Sequence, residues 1–280
     1  MSTPPTPNPT FFSQHGEDIL AWKVFGPRPR NSPSANGPND PCGRFFVEVG
    51  MIDGVRFSNT LALERMGWRG LCVEAHPGFI DQVRANRPGS RVMHAAAADV
   101  SGPAMTFYAD PRGDLSSLIR RDEKEMKARF GPWYQGVTAV SVPVRTLDEM
   151  LTEVNAPREF ELLSIDIEGG EPAALKGLDL NKWRPRMMIL EADDEQARRN
   201  LDALVEPAGY RCVRRVGVNA IYTRTTRDAW AVRLVRIDQC VRLTANPADA
   251  DGQDRIVIPA SFETRSQYAR RLVRSLARAA

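Results

Sequence analysis

Phe45-Phe46-Val47-Glu48-Val49-Gly50-Met51-Ile52-Asp53-Gly54 reads as a buried strand running straight into an acidic, glycine-bearing turn. Phe45, Phe46, Val47 and Val49 suit a central strand covered on both faces. Gly50 and Gly54 let the backbone turn sharply and let a ligand approach where a side chain would block it. A helix is predicted over 57–67, with Ser58 or Asn59 as its cap. Strand, glycine turn and helix is how doubly wound sheets hold nucleotide-like ligands at the carboxyl ends of their strands. A dinucleotide fingerprint needs G-x-G-x-x-G, whereas this turn is Gly-x-x-x-Gly with acids at Glu48 and Asp53. Carboxylates there repel a pyrophosphate but suit amino, sulfonium or ribose hydroxyl groups.

Downstream, Gly70-Leu71-Cys72-Val73-Glu74 is a short apolar run ending in a carboxylate, twenty positions after Gly54. An acid at the end of the second strand of such a unit accepts hydrogen bonds from ribose hydroxyls. The two motifs, in order and at βαβ spacing, predict a nucleoside site. Further along, strands are expected at 91–95, 161–166 and 187–190, and helices at 78–86, 146–154 and 194–205. Strand and helix in alternation predict a parallel sheet with helices on both faces. Tyr210–Val216 and Asn219–Thr223, separated by Gly217-Val218, read as an antiparallel hairpin closing that sheet. Strands at 104–108 and 137–144 flank an insertion of about 110–136, which carries a charged helix and the aromatic residues Phe130, Trp133 and Tyr134. Long elaborated connections of this kind serve as lids or substrate loops, or form a solvated helix with its own small core.

At 280 residues, 42% hydrophobic and 26% charged, the chain suits one large soluble α/β domain with additions. A net charge of +3 is too small to argue for nucleic acid as the main partner. Cys42, Cys72, Cys212 and Cys240 form no C-x-x-C pair, so no zinc site is expected and a reducing, cytoplasmic setting is. No run approaches the roughly 20 apolar residues of a membrane span, and the proline-rich start lacks the apolar core of a signal peptide. Residues 1–10 are expected to be a disordered tail, 11–225 the main domain and 226–280 an extension. Within that extension, Tyr268 to Arg278 segregates into an apolar and an arginine-rich face. Such a helix packs on its own domain or a partner chain, as in a homo-oligomer, or touches an anionic membrane or polysaccharide surface.

Taken together, the blocks resemble the FkbM family of S-adenosylmethionine-dependent methyltransferases over roughly Phe12 to Thr223. The marks are Ser13-Gln14-His15-Gly16-Glu17-Asp18, Phe46-Val47-Glu48-Val49-Gly50 with Asp53-Gly54, and Ser58-Asn59-Thr60 followed by Leu63-Glu64. They continue with Gly67-Trp68-Arg69-Gly70 leading to Glu74, Val144-Arg145-Thr146-Leu147-Asp148, and Leu163-Ser164-Ile165-Asp166-Ile167-Glu168-Gly169 with Glu171. Met51 stands where the family usually has alanine, and Glu74-Ala75-His76-Pro77 replaces a motif that more often carries asparagine before the proline. The resemblance implies a class I methyltransferase (Rossmann-like) fold, a seven-stranded sheet with the last strand antiparallel.

It also implies S-adenosylmethionine as cofactor and methyl transfer to a sugar hydroxyl, in a glycan or a glycosylated small molecule. Glu48, Gly50, Asp53 and Gly54 then shape the methionine and ribose pocket, Glu74 takes the ribose hydroxyls and Asn59 reaches the amino acid end. Asp99 is a candidate for the adenine edge. Asp166, Glu168 and Glu171 follow the fourth strand, opposite Glu191 and Asp193 at the end of the fifth. Carboxylates so placed can hold Mg²⁺ (Asp166, Glu191 and Asp193), or raise one another's pKa to make a base from Asp166 or Glu168. Glu171 alternatively caps the next helix. His15 and His76 flank these motifs and are the other candidate bases, ahead of His94. The rival functions are a nicotinamide-dependent oxidoreductase or epimerase, disfavoured by the absent fingerprint, and a non-catalytic nucleoside-binding partner.

Overall fold

The computed structural model describes residues 10–26, 43–237, 241–243 and 255–257. Its centre is a seven-stranded sheet of β1 (Phe45–Val49), β2 (Arg69–Glu74), β3 (Arg91–His94), β7 (Glu159–Ile165), β8 (Arg184–Glu191), β9 (Arg211–Val216) and β10 (Asn219–Thr223). The order is β9-β10-β8-β7-β1-β2-β3. β10 pairs antiparallel with both β8 and β9, while the pairs β7–β8, β1–β7, β1–β2 and β2–β3 are parallel. This is the class I methyltransferase arrangement, and its reversed strand is the second half of the predicted hairpin. The chain runs outward from β1 to β2 and β3, then returns to build β7 and β8 on the other side. The switch point where ligands bind such sheets therefore lies between β1 and β7.

Two apolar layers hold the sheet. One face packs Val47, Val49, Leu163 and Ile165 against Leu147, Leu151 and Leu201. The other packs Phe46, Leu162, Met187 and Ile189 against Ile19, Leu20 and Trp22 of α1 (Glu17–Phe25). Strands buried on both faces explain the near-continuous apolar runs. Predicted helices appear as α2 (Leu61–Arg65), α3 (Ile80–Asn86), α5 (Leu147–Glu153) and α7 (Glu195–Val205), with α6 (Glu171–Lys176) between β7 and β8. α2 starts later than expected, because Ser58, Asn59 and Thr60 are bound to the Glu48 carboxylate and cannot wind into a helix. Ser58 Oγ accepts from Leu61 N at 3.0 Å, but the residue that precedes the helix is Thr60, whose side chain does not cap it.

A second sheet carries the insertion. β4 (Ala96–Ala97) pairs with β6 (Thr138–Arg145), which pairs antiparallel with β5 (Gly102–Ala109). Between β5 and β6, α4 (Glu123–Phe130), capped by Asp122, leads into a 3-10 turn at Gly131–Trp133. Leu115, Met126 and Tyr134 form a small core there with Phe130, so the insertion packs on itself. Thr10 is not part of a tail: Thr10–Phe11 pairs antiparallel with Arg255–Val257, which pairs with Val241–Leu243. The expected tail before Thr10 and the Tyr268–Arg278 helix lie outside the described residues. α8 (Thr226–Leu234) is the described start of the extension. Among the described residues no helix is long and apolar enough to cross a membrane.

Candidate active site

A cavity of about 420 Å³ opens at the carboxyl ends of β1, β2, β3, β7 and β8. Its floor is the contact between the turn after β1 and the turn after β7. Gly50 has φ +76, and a Cβ on it would lie 1.8 Å from the Asp166 carbonyl oxygen. Val49 O accepts from Asp166 N at 3.0 Å, and Gly50 N donates to Val73 O at 3.0 Å. Only glycine fits there, for reasons both steric and conformational. Ile52, Phe57 and Glu168 also line the cavity and also have positive φ. Such backbone costs about 1–3 kcal/mol per residue and gathers at functional sites.

On one side, Glu74 is 5% exposed and holds the turn in place. Its Oε2 accepts from Met51 N and Ile52 N, each at 2.9 Å, and its Oε1 from His76 N at 2.7 Å. Burial pushes this carboxyl above its ordinary range, against the lowering effect of the amides. Glu48 reaches the cavity edge, but its carboxylate accepts from Ser58 Oγ, Asn59 N, Thr60 Oγ1 and Arg87 Nη1. Arg87 is fully buried and also pairs with Glu64 at 2.8 Å. Glu48 is thus a structural anchor.

The remaining candidates on this side divide. Asn59 lines the cavity, with Nδ2 donating to Ser164 Oγ at 3.0 Å. Gly54 faces α3 instead, where a Cβ would lie 3.0 Å from Arg87 Cγ. Asp53 Oδ1 accepts from Val55 N and Arg56 N, closing the turn from outside the cavity. Asp99 is exposed and stands away from the cavity. After β3 the chain enters β4 rather than a loop, so Ala95, Ala96 and Ala97 form the wall and Asp99 falls beyond it.

On the other side, Asp166, Glu168 and Glu191 each bring an oxygen within 4.8 Å of the others. Asp166 and Glu191 stand side by side at the ends of the paired strands β7 and β8. Burial, then Glu168 and Glu171, pushes Asp166 up to about 8. Burial, then Asp166, raises Glu191 as well. Two carboxyls this close, both raised, keep a proton on one of them near neutral pH. Burial also raises Glu168, although Arg121 Nη1 donates to its Oε2 at 2.7 Å. The expected trio of Asp166, Glu191 and Asp193 is corrected here: Glu168 joins the first two, and Asp193 accepts from Arg129 Nη2 of α4 at 2.9 Å. Glu171 accepts from Ile167 N and Gly169 N, so it braces the turn that presents Asp166 and Glu168 rather than capping α6.

The histidines stand back from the chemistry. His76 Nδ1 accepts from Gly78 N at 3.0 Å, which leaves Nε2–H to donate to Asp110 O at 3.1 Å. Burial lowers its pKa. The ring, 4.6 Å from Phe79, is a neutral clamp at the root of the insertion, with neither nitrogen available as a base. The ring of His15 packs on Gly217, where a Cβ would come within 2.0 Å of it. His94 Nε2 lies 3.1 Å from Ala75 O. None of the three borders the cavity. Arg56, Arg121 and Arg129 escaped notice in the sequence, because isolated arginines carry no spacing signal. The insertion brings Arg129, Phe130 and Trp133 to the cavity beside the carboxylates.

The sequence pattern of the methyltransferase FkbM domain matches residues 48–212. This chain belongs to the FkbM methyltransferase family. It is a methyltransferase, and the oxidoreductase and non-catalytic readings fall away. The match contains Glu48, Gly50, Glu74, Asp166 and Glu191, and leaves the Ser13–Asp18 block and β10 outside it. No curated protein matches the sequence of this FkbM methyltransferase. Among solved structures it is similar to a TehB-like SAM-dependent methyltransferase from Corynebacterium glutamicum, with 13% identity, 76% of this chain and 89% of the other covered, and a TM-score of 0.37. It is also similar to an O-methyltransferase from Bacillus cereus in complex with SAH, with 13% identity, 76% and 81% covered, and a TM-score of 0.40. A third is a ribosomal protein L11 methylase from Lactobacillus delbrueckii, with 10% identity, 76% and 81% covered, and a TM-score of 0.36.

Proposed function

We propose that this FkbM methyltransferase uses S-adenosylmethionine to methylate a hydroxyl of a sugar, in a glycan or a glycosylated natural product. One observation carries the reading: the Gly50 cradle and the Asp166–Glu191 carboxyl pair are joined backbone to backbone in one cavity. The cradle is one that any Cβ would fill, and the Glu74 carboxylate lines the cavity beside it, which suits the donor's amino acid and ribose parts. A cavity of about 420 Å³ falls within the usual range for small-molecule sites. When bound, the donor supplies an electrophilic methyl group on a sulfonium.

The chain must then orient the acceptor and take its proton. Asp166, once ionised, accepts the hydroxyl proton, and Glu191 stands beside it at the end of the neighbouring strand. Glu168 and Arg129 offer an acceptor and a donor to further hydroxyls, while Phe130 and Trp133 offer apolar faces to a sugar ring. The insertion thereby acts as a lid over the acceptor end. A cytoplasmic location belongs to the same reading, since Cys72 is buried and unbridged.

A second reading has one observation in its favour, the three carboxylate oxygens within 4.8 Å. Asp166, Glu168 and Glu191 would hold Mg²⁺, which would lower the pKa of the acceptor hydroxyl. Loss of turnover in EDTA, with rescue by Mg²⁺, would select it over the proton-held pair. Calorimetry with S-adenosylhomocysteine tests the donor site: the wild type binds, Gly50→Ala does not, and NAD gives no heat. Methyl transfer across a set of glycans tests the acceptor class, and transfer confined to amines or thiols would overturn it.

A further inference from the structure

From Thr10 to Phe25 one residue alone is exposed, and it is Gln14. It lines the cavity, as does Val218, whose carbonyl accepts from Ala192 N, next to Glu191, at 2.9 Å. The loop that presents it is built on two carboxylates with no exposure at all. Asp18 accepts from Phe12 N at 2.7 Å, Ser13 N at 3.2 Å and Ser13 Oγ at 2.5 Å. Glu17 accepts from His15 N at 2.9 Å and from Asn219 Nδ2 at 2.8 Å. Asn219 lies directly opposite Glu191 in the β8–β10 pairing, so the loop is tied to the strand end that carries the acid. Ser13 bridges to Phe57 on the other flank.

Burying two acids side by side is costly, and capping α1 does not require it, since a serine or aspartate at the surface would suffice. What the arrangement achieves is a fixed place for Gln14 at the cavity, beside the strand end that carries Glu191. We infer that Gln14 is an acceptor-binding residue, its carboxamide meeting a neutral polyhydroxylated acceptor as donor and acceptor at once. This rests on the sugar-methylating reading above. Asp18 and Glu17 are then positioning residues that act through the loop.

The test follows the Gln14 side-chain amide by NMR, assigned through Gln14→Ala, in the full chain. S-adenosylhomocysteine is added first, then a set of methyl glycosides at saturating S-adenosylhomocysteine. The inference expects a small shift with the first and a large one with at least one glycoside. For that glycoside, Gln14→Ala raises KM about tenfold, the loss of one hydrogen bond, and leaves the Kd for S-adenosylhomocysteine within about twofold. A dominant shift with S-adenosylhomocysteine alone, or no shift with any glycoside, overturns it. Failure of S-adenosylhomocysteine to bind the wild type is a separate result and strikes the donor reading instead.

Discussion

Two sets of carboxylates stand at the same end of the sheet, and they differ in what surrounds them. Glu48, Glu74 and Glu171 face backbone amides, hydroxyls and, for Glu48, the guanidinium of Arg87. Asp166, Glu168 and Glu191 face one another. The first set has its hydrogen bonds met and fixes the turns. The second carries like charges in a buried place, which raises their pKa values and leaves a proton to be moved. The same residue types on the same sheet thus become scaffold or chemistry according to their neighbours.

The largest expected effect separates the sets by activity. Asp166→Asn should lower kcat/KM by about 10²–10⁴-fold, the usual worth of a general base. The melting temperature should hold or rise, because a like-charge contact is relieved; a variant that melts early would place Asp166 with the scaffold. Glu48→Ala should do the reverse, destabilising the fold by about 3–5 kcal/mol in urea titration, because it leaves Arg87 buried without its partner. A folded, stable Glu48→Ala that has merely lost turnover would erase the distinction.

The pH profile sharpens it. With Asp166 pushed up to about 8, kcat/KM should rise as pH passes through that region, when the base loses its proton. Glu168→Gln removes the like charge that, after burial, does most to raise Asp166 and should move the rise to lower pH; an unmoved profile would assign the titration elsewhere. The smallest effect concerns Asp18, which burial pushes up to about 7. The folded state binds this proton more tightly than the unfolded chain, so stability present at low pH is lost as pH climbs from about 4 toward 7. Asp18→Asn should flatten that part of a melting-temperature curve, and an unchanged slope would show that another group sets it.

Much of the fold was legible because it is local. The apolar run at Phe45–Val49, the alternation after it and the Gly217-Val218 hairpin each follow from the spacing of buried side chains along one segment. Gly50 and Glu74 were legible for the same reason, as a turn and a strand end at βαβ distance. Asp99 was not, because four alanines after β3 can enter a second sheet as readily as a loop, and only pairing with β6 settled which. The histidines misled because adjacency in sequence says nothing about which ring nitrogen the fold has already engaged.

The sequence by itself determined the class of sheet, the glycine turn after its first strand and the family, since backbone turns and strand burial are written in short stretches. Only tertiary structure decided which carboxylates meet. That depends on Glu168 and Glu191 meeting Asp166 from another turn and another strand, and on Arg87, Arg121 and Arg129 arriving from remote helices and loops. Electrostatic character comes from distance in space, and distance in space exists only once the chain has folded.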